Sequence, residues 1–196
     1  MLPLETPRLL LRPFQDSDLE AFVAYRSDPI IARYQGWEAP YSIANALAFI
    51  DEMKHKQPAV PGEWYQIAIV LKTSLELIGD CAFEVSEEDG QQAKIGYTLA
   101  RPFHGSGYAT EAVTGLLNYL FGDLKLHRVI ALCDVDNFAS IRLLERIGMR
   151  REGFYLESFW SKIEWRSEYG YGLLHSEWFR LHNRKQALKN QSGDDE

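Results

Sequence analysis

The sequence predicts an α+β fold: a single domain in which helices flank a mixed, mostly antiparallel sheet of about seven strands. The chain has 196 residues, of which 46% are hydrophobic and 25% charged, so it can bury one core of ordinary composition. Segments with the period of a strand alternate with segments with the period of a helix, and no long linker or internal repeat separates them. We therefore expect one domain over residues 1–183, followed by a polar, disordered tail over residues 184–196.

The N-terminal segment predicts a strand, a helix and an irregular connection. Residues 8–13 are typical of a short strand, and a helix over about 16–27 follows with Asp16 as its expected N-cap. Prolines and a glycine interrupt residues 29–41, which predicts an aromatic loop with one turn of helix.

A second helix is predicted over residues 42–56, with Ser42 as its N-cap. Residues 128–135 are apolar on both faces, which is typical of a central strand covered by helices. The predicted apolar face of the second helix consists of Ile43, Ala46, Leu47 and Ile50. The other predicted strands cover residues 64–72, 76–86, 94–100, 149–160 and 163–174, and the other predicted helices cover residues 107–121, 138–147 and 176–182.

The chain is acidic, with a formal net charge of −7 and a pI of about 5.3. This charge disfavours binding to nucleic acid or to an anionic membrane, since both need a basic surface, and it is compatible with a cationic substrate. No apolar run approaches the ~20 residues that cross a bilayer, and the N-terminus lacks the pattern of a signal peptide, so we expect a soluble, cytoplasmic protein. Cys81 and Cys133 lie in apolar strands, which predicts buried thiols and neither a disulfide nor a metal site.

The stretch Arg-Pro-Phe-His-Gly-Ser-Gly-Tyr-Ala-Thr-Glu-Ala over residues 101–112 joins a predicted strand directly to an amphipathic helix. Gly105 and Gly107 let the backbone turn sharply and approach a ligand without a Cβ atom in the way. The helix N-terminus carries unpaired N–H groups and a partial positive charge, so the turn can bind a phosphate or pyrophosphate. Arg101 and a protonated His104 can add positive charge.

Three known glycine-rich loops do not match this turn. The dinucleotide-binding fingerprint needs a third glycine where Thr110 stands, and an acidic residue about 20 positions further on. A P-loop needs Gly-Lys-Ser/Thr, and the nucleophile elbow needs Gly-x-Ser-x-Gly, neither of which occurs at this turn. Taken alone, the turn is also compatible with an ordinary strand-to-helix connection.

A second motif lies one helix and one strand later, where Asn137, Ser140 and Gly148-Met149 follow the pattern N-x-x-S and then G-M. With these two motifs in order, the chain resembles the GNAT superfamily of N-acetyltransferases over residues 6–178. The segments RLLLRPF near the N-terminus and REGFYLESFWSKIEWRSEYGYGLL near the C-terminus are similar to its ribosomal-protein-serine/alanine N-acetyltransferase branch. The resemblance implies that the sheet splays at its centre, between the strands over 94–100 and 128–135, around the pantetheine arm of acetyl-CoA.

The resemblance implies direct attack of an amine on the thioester of acetyl-CoA, whose carbonyl a backbone N–H near Leu99 would polarise. Many family members place a tyrosine acid seven residues after the asparagine, where this chain has Leu144. The resemblance to the ribosomal-protein branch implies instead that Ser140 protonates the departing thiolate, with capping of its helix as the alternative. Asn137 is compatible both with capping and with holding the pantetheine amide. The implied cofactor-binding residues are Thr98, Leu99, Ala100, His104, Gly105, Ser106, Gly107, Tyr108, Ala109, Thr110, Asn137 and Ser140.

An attacking amine must first lose a proton, and Glu84 near the end of its strand is the candidate base. A solvated strand-end charge and deprotonation through a water chain are the alternatives. Glu111 is interpreted as structural, because an acid in the first turns of a helix favours the helix dipole. The acceptor is expected beside an aromatic surface with one acid, which suits an ammonium group, although core packing explains these aromatics equally well. The predicted substrate residues are Tyr34, Trp37, Glu38 and Tyr65.

Three functions remain open from the sequence. The first is acetylation of a protein N-terminal amine, and the second is acetylation of a small amine such as a polyamine, an amino acid or an aminoglycoside. The third is a non-catalytic acyl-CoA-binding sensor, which the retained Asn137 and Ser140 disfavour. The partners we expect are acetyl-CoA, the amine acceptor and a second copy of the chain in a homodimer.

Overall fold

The computed structural model describes residues 2–181, which form one open sheet of eight strands with helices on both faces. The strands are β1 (Leu4–Glu5), β2 (Leu9–Arg12), β3 (Trp64–Leu71), β4 (Leu77–Val85), β5 (Gln92–Leu99), β6 (Arg128–Asp134), β7 (Arg150–Ser161) and β8 (Glu164–Leu174). They lie in the order β1-β2-β3-β4-β5-β6-β8-β7, and all neighbours are antiparallel except β5 and β6, which run parallel. The tail predicted over residues 184–196 lies outside the described residues.

The helices pack on the two faces of this sheet. They are α1 (Leu19–Arg26), α2 (Pro29–Ala32), α3 (Ile43–His55), α4 (Tyr108–Asn118) and α5 (Phe138–Arg146), and residues 175–181 are also helical. A 3-10 turn over Asp16–Asp18 precedes α1, and a π-helical turn over Tyr119–Asp123 continues α4. In the described part of the chain, no helix combines the length and the apolarity that crossing a membrane requires.

The strand predictions from the sequence are confirmed, with ends that differ by no more than two residues from those observed. The additional strand, β1, has two residues and pairs with the end of β2. A segment this short has no measurable alternation, so the sequence pattern does not predict it.

The start of α1 differs from the prediction that Asp16 caps it. Asp16 lies in the preceding 3-10 turn, and its carboxylate accepts a bond from Lys54 at 2.8 Å. Asp18 instead accepts the backbone N–H of Gln15 at 2.8 Å and pairs with Arg12. Asp18 rather than Asp16 therefore stabilises this turn, because its carboxylate binds both the backbone N–H and the arginine of β2.

The cap of α3 is confirmed, but its buried face is narrower than predicted. The hydroxyl of Ser42 accepts the N–H of Asn45 at 3.1 Å. Ile43 and Leu47 are more than half exposed, and the buried side chains are Ala46, Ile50 and Met53. Since α3 lies on α1 along a single stripe, positions spaced by four and three residues face inward while the flanking apolar residues face solvent.

The two faces of the sheet bury separate hydrophobic clusters. Helices α4 and α5 cover one face, where Phe83 and Leu116 are fully buried, and the α1–α3 layer covers the other, where Phe22 and Ile50 are fully buried. Cys81 and Cys133 are buried free thiols, as predicted. The sheet is therefore the middle of three layers, with helices on both of its faces.

The centre of the sheet opens between β5 and β6. Residues 92–94 of β5 pair with residues 128–130 of β6, and the two strands separate beyond this short ladder. From there β5 continues beside β4, and β6 continues beside β8. The predicted splay is therefore confirmed, and the starts of α4 and α5 lie at its edges.

Candidate active site

A cavity of about 850 Å³ occupies the gap between β5 and β6. Its walls are residues 95–99 of β5 and residues 131–134 of β6. One end reaches the turn before α4, and the other opens between residues 30–38 and the tip of the β7–β8 hairpin. The volume is in the range of sites that enclose small-molecule ligands. Leu132, predicted to be covered by helices on both faces of its strand, is half exposed because it lines this cavity.

The turn before α4 has the geometry of an anion site. Gly105 and Gly107 have φ angles of +78° and +81°, a backbone conformation that favours glycine. The first bond of α4 runs from the N–H of Glu111 to the carbonyl of Gly107 at 3.0 Å, so the N–H groups of residues 108–110 have no acceptor inside the helix. Both glycines and residues 108–110 line the cavity. The free donors and the absent Cβ atoms fit a pyrophosphate group.

The arginine that lines the cavity beside this turn is not the one expected from the sequence. Arg101 forms a close ion pair with Asp28 and does not line the cavity. Arg146, in the last turn of α5, does line it and donates a bond to the hydroxyl of Thr110 at 3.4 Å. Its position at a helix C-terminus is explained by the helix dipole alone, so the sequence carries no signal for this role.

Ser140 faces the cavity beside a tyrosine that the sequence analysis did not single out. Asn137 is the N-cap of α5, and its Oδ1 accepts the N–H of Ser140 at 3.1 Å. The Ser140 hydroxyl is therefore not used for capping, and its Oγ lies 2.5 Å from the Oη of Tyr97 on β5. Burial raises the pKa of Tyr97, which keeps its hydroxyl protonated. A tyrosine from β5 thus reaches the cavity, although Leu144 stands at the tyrosine position of α5.

Cys133 lies in the cavity wall near Ser140. Burial raises the pKa of the Cys133 thiol to about 11, outweighing a hydrogen bond with Ser140. The side chain therefore remains a neutral thiol at neutral pH and is not a competing nucleophile.

Glu168 is a carboxylate that lines the cavity from β8, and the sequence analysis did not single it out. It lies opposite Asp134 on β6 and Tyr155 on β7. Burial raises the pKa of Glu168, a bond from Ser158 opposes this, and the charge of Asp134 adds to it. Among the described residues, no cation lies at ion-pair distance from Glu168, whereas Asp134 is paired with Arg166 at 2.5 Å. Glu168 is therefore a carboxylate with a raised pKa that can accept a proton.

The predicted substrate residues separate into two groups. Tyr34 and Glu38 line the open end of the cavity, and the hydroxyl of Tyr34 donates to the carbonyl of Asp136 at 3.3 Å. Tyr65 is buried on the α4 side of the sheet, where its ring packs on Phe83 at 5.9 Å. Alternation along β3 places Tyr65 on that face, so it does not reach the cavity.

Trp37 belongs to an aromatic cage that the protein fills with its own cation. The guanidinium of Arg26 lies 4.0 Å from the ring of Trp37 and 4.3 Å from the ring of Phe22. Arg26 is buried, and the polar side chains beside it are Gln66 at 3.0 Å and Asp80 at 4.0 Å. The aromatic surface expected to bind a substrate ammonium is therefore occupied by Arg26, and Trp37 does not line the cavity.

Glu84 also lies outside the cavity lining. It pairs across the sheet with Trp64 on β3 and Lys94 on β5, next to the short ladder where β5 and β6 are still joined. Of the predicted cofactor-binding residues, Ala100 and Ser106 do not line the cavity. Those that do are Thr98, Leu99, His104, Gly105, Gly107, Tyr108, Ala109, Thr110, Asn137 and Ser140.

This geometry agrees with the proteins to which the chain is similar. The family described as the acetyltransferase (GNAT) domain matches residues 8–150. YnaD of Bacillus subtilis (strain 168), an uncharacterized N-acetyltransferase, is 33% identical over 176 residues, which cover 89% of this chain and 98% of YnaD.

Solved structures share the fold over most of its length. A protein from Vibrio cholerae proposed to be a ribosomal-protein-serine acetyltransferase is 26% identical with a TM-score of 0.75, covering 89% of this chain and 99% of that one. A spermidine N-acetyltransferase from the same organism, in complex with CoA and spermine, is 21% identical with a TM-score of 0.74 and the same coverage. Since the splayed sheet, the anion turn and these matches agree, the chain belongs to the GNAT acetyltransferases and is an acetyl-CoA-dependent N-acetyltransferase.

Proposed function

We propose that this N-acetyltransferase acetylates the N-terminal amine of a protein by direct attack in a ternary complex. The observation that carries the proposal is a single cavity that joins the anion turn, the Tyr97–Ser140 pair and Glu168, and that opens between two chain segments. Acetyl-CoA supplies a thioester, whose carbonyl carbon the amine attacks and whose sulfur leaves as a thiolate. The protein's contributions are to position the reactants, to exclude water and to move protons.

The edge of β5 orients the thioester. The N–H of Ala100 donates to the carbonyl of Ile78 on β4 at 2.8 Å, so the backbone groups of Leu99 point the opposite way, into the gap. The ring Nε2 of His104 lies 2.8 Å from the carbonyl of Leu99 and donates to it, which ties the anion turn to this strand. The N–H of Leu99 is left to polarise the thioester carbonyl, as the family resemblance implies.

Ser140 and Tyr97 form a route for the proton that the thiolate needs. The hydroxyl of Ser140 donates its proton to the departing sulfur while Tyr97, whose Oη lies 2.5 Å away, donates a hydrogen bond to the serine oxygen, and the serine regains its proton from solvent once the thiol has left. Because burial keeps Tyr97 protonated, the tyrosine is a donor at neutral pH. The serine therefore acts as the acid that contacts sulfur, and the tyrosine acts through it.

We assign the base role to Glu168. It lines the cavity at the end from which the acceptor enters, and its raised pKa brings it closer to neutrality, where a general base is most effective. The amine proton passes to Glu168 as the N–C bond forms. The base role that the sequence suggests for Glu84 stays as the alternative.

We expect Glu168→Gln to lower kcat/KM by about 10²-fold at pH 7, the scale of general base catalysis. In the wild-type enzyme kcat/KM rises with pH as the carboxyl of Glu168 loses its proton. In the variant, kcat/KM rises only as the acceptor amine loses its own proton, near pH 8 for a peptide N-terminus. The measurement is the pH profile of kcat/KM with a saturating cofactor.

Glu84→Gln is the matched control, since it makes the same change on a strand carboxylate outside the cavity. We expect its pH profile to coincide with that of the wild-type enzyme. If Glu84→Gln loses the rise with pH and Glu168→Gln keeps it, Glu84 is the base and the assignment above is wrong.

The acceptor end of the cavity suits an extended peptide. Beyond residue 130, the edge of β6 that faces the gap has no strand partner among the described residues, so its backbone groups can bond an added chain. Glu38 at this end is paired with Lys162 at 4.0 Å, whereas Glu168 has no paired cation among the described residues and suits an ammonium group. Lys162 at the hairpin tip donates to the carbonyl of Ala32 at 2.8 Å, so the two walls of the mouth are tied together.

The similar proteins also favour a protein acceptor. The Vibrio cholerae structure proposed to be a ribosomal-protein-serine acetyltransferase is more similar in sequence than the spermidine enzyme, 26% against 21% identical. At the lower identity the likeness concerns the fold alone. The spermidine enzyme nevertheless keeps a small polyamine as the second candidate for the acceptor.

Tetrapeptides that begin with Ser or Ala are expected to exceed free serine or alanine in kcat/KM by about tenfold or more, roughly 1.4 kcal/mol of transition-state binding. The gain comes from main-chain bonds along β6 that a free amino acid cannot make, and remote binding energy of this kind can accelerate the reacting step. The assay is steady release of CoA thiol from acetyl-CoA.

Spermidine and an aminoglycoside belong in the same assay. If either turns over faster than every peptide tested, the acceptor is a small amine and the protein-acceptor proposal fails. Cofactor binding without turnover of any amine would indicate a sensor instead. The homodimer and the cytoplasmic location expected from the sequence stay predictions.

A further inference from the structure

Arg8, in the N-terminal segment RLLLRPF, contacts the anion turn from about 100 positions away in the chain. Its Nη1 donates to the carbonyl of Ser106 at 2.9 Å, and its guanidinium lies 4.2 Å from the centre of the Tyr108 ring. A Cβ atom at Gly107 would lie 3.5 Å from Nη2 of Arg8, so the arginine packs directly against this glycine. The N-terminal chain is thereby attached to the turn at three successive residues.

The bond to Ser106 fixes the direction of a donor. In a trans peptide the C=O and the N–H point in opposite directions, so holding the carbonyl of Ser106 toward Arg8 turns the N–H of Gly107 away from Arg8. Arg8 does not line the cavity, whereas Gly107 does. The peptide between Ser106 and Gly107 is therefore held with its oxygen outside and its N–H available to the cavity.

Arg8 also neutralises the acid at this helix start. Its Nε donates to Oε2 of Glu111 at 2.6 Å and its backbone N–H donates to Oε1 at 2.7 Å, while Thr6 donates to Oε1 at 2.6 Å. Burial acts to raise the pKa of Glu111, but the bonds from Thr6 and Arg8 outweigh it and lower the pKa. Glu111 is therefore ionised at neutral pH, one residue beyond the free N–H groups of residues 108–110.

An ionised carboxylate at this place opposes a bound polyanion. The pyrophosphate and the phosphate of acetyl-CoA carry like charge, and repulsion between like charges is stronger in a partly buried site than in water. Among the described residues, Arg8 is the cation that pairs with Glu111. Without it, the carboxylate would cancel much of the attraction that the helix N-terminus offers.

We propose that Arg8 is a positioning residue for the cofactor, which cancels the charge of Glu111 and holds the Gly105–Gly107 turn with its N–H groups toward the pyrophosphate. The proposal rests on the placement of the pyrophosphate on this turn. It gives the RLLLRPF segment, which lies outside the cavity, a role in binding the cofactor.

The test is calorimetric binding of CoA to Arg8→Gln, Glu111→Gln and the double variant. We expect Arg8→Gln to weaken binding about tenfold, or about 1.4 kcal/mol, with kcat at saturating acetyl-CoA within about twofold of the wild type. Glu111→Gln is expected to bind at least as tightly as the wild type. The double variant should bind several-fold tighter than Arg8→Gln, because the unpaired carboxylate is gone.

Ionic strength separates the charge effect from a folding defect. Salt screens the repulsion that Glu111 exerts in Arg8→Gln, so the ratio of its Kd to the wild-type Kd should shrink toward one as salt rises toward 1 M. Arg8→Lys keeps the charge but not the forked contact with Ser106 and Glu111, so its Kd for CoA should lie between those of Arg8→Gln and the wild type. This variant replaces Arg8→Gln in the experiment if Arg8→Gln does not fold. Lys72→Gln is the control, since it removes an ion pair with Glu5 of the same N-terminal region at 2.8 Å without touching the turn.

The proposal is overturned if Arg8→Gln binds CoA within about twofold of the wild type, or if the double variant binds no tighter than Arg8→Gln. Gly107→Val in the same experiment tests the placement of the pyrophosphate separately. A loss of binding in Gly107→Val without a loss in Arg8→Gln removes the role of Arg8 alone. Unchanged binding in both removes the placement on which it rests.

Discussion

Gly107→Val is expected to weaken acetyl-CoA binding by about 10²-fold or more. Gly107 is the N-cap of α4 at a φ of +81°, where a β-branched residue is strained by about 1–3 kcal/mol. A valine would either shift the turn or place its side chain over the N–H groups of residues 108–110, which line the cavity. Both outcomes remove donors from the pyrophosphate, and calorimetry with acetyl-CoA measures the loss.

Gly90→Val is the matched control for that experiment. Gly90 also has a positive φ, +61°, and lies in the turn between β4 and β5, outside the cavity lining. It carries a comparable backbone strain, so the two variants should have similar losses in thermal stability, while only Gly107→Val loses the cofactor. Unchanged affinity in a folded Gly107→Val protein would place the pyrophosphate elsewhere.

Ser140→Ala is expected to lower kcat by about 10²-fold or more, the scale of general acid catalysis, while acetyl-CoA binding changes little. The helix cap survives the change because it uses the backbone N–H of Ser140 and the side chain of Asn137. The loss is therefore chemical, and the comparison of kcat with the calorimetric Kd separates the two effects.

Tyr97→Phe tests the relay behind Ser140. Because the tyrosine acts through the serine, the double variant Tyr97→Phe/Ser140→Ala should have the same kcat as Ser140→Ala. If the two residues acted independently, the fold-losses in kcat of the single variants would multiply in the double variant. A kcat for Ser140→Ala within twofold of the wild type would leave the serine with a role in packing alone. Thermal unfolding of each variant checks that the cavity wall is intact.

Local sequence signals were sufficient for most of the elements and for the glycine turn before α4. Alternation and helical spacing depend on neighbours within a few residues, so the strands and the helix caps at Ser42 and Asn137 could be predicted. Gly105 and Gly107 were predictable for the same reason, since a sharp turn between a strand and a helix requires glycine at particular positions.

Side chains that meet across the fold were decided by the tertiary structure. Tyr97 and Ser140 are 43 positions apart, and their contact depends on where β5 and β6 separate. Glu168 reaches the cavity because of its register with Asp134, and the irregular register of β7 near Tyr155 could not be deduced from alternation. The sequence therefore offered no ground for proposing Glu168 as the base in place of Glu84.

The acceptor side illustrates the same limit most clearly. The sequence predicted that Trp37 contacts a substrate ammonium, but the packing of α1 places Arg26 of the protein itself beside that ring. Likewise, Glu111 was interpreted from the sequence as a favourable charge for the helix dipole, and only the fold brings Arg8 to it. The sequence shows which chemical groups each helix or strand contains. The partner of each charged group depends instead on how elements that are distant in the chain pack together.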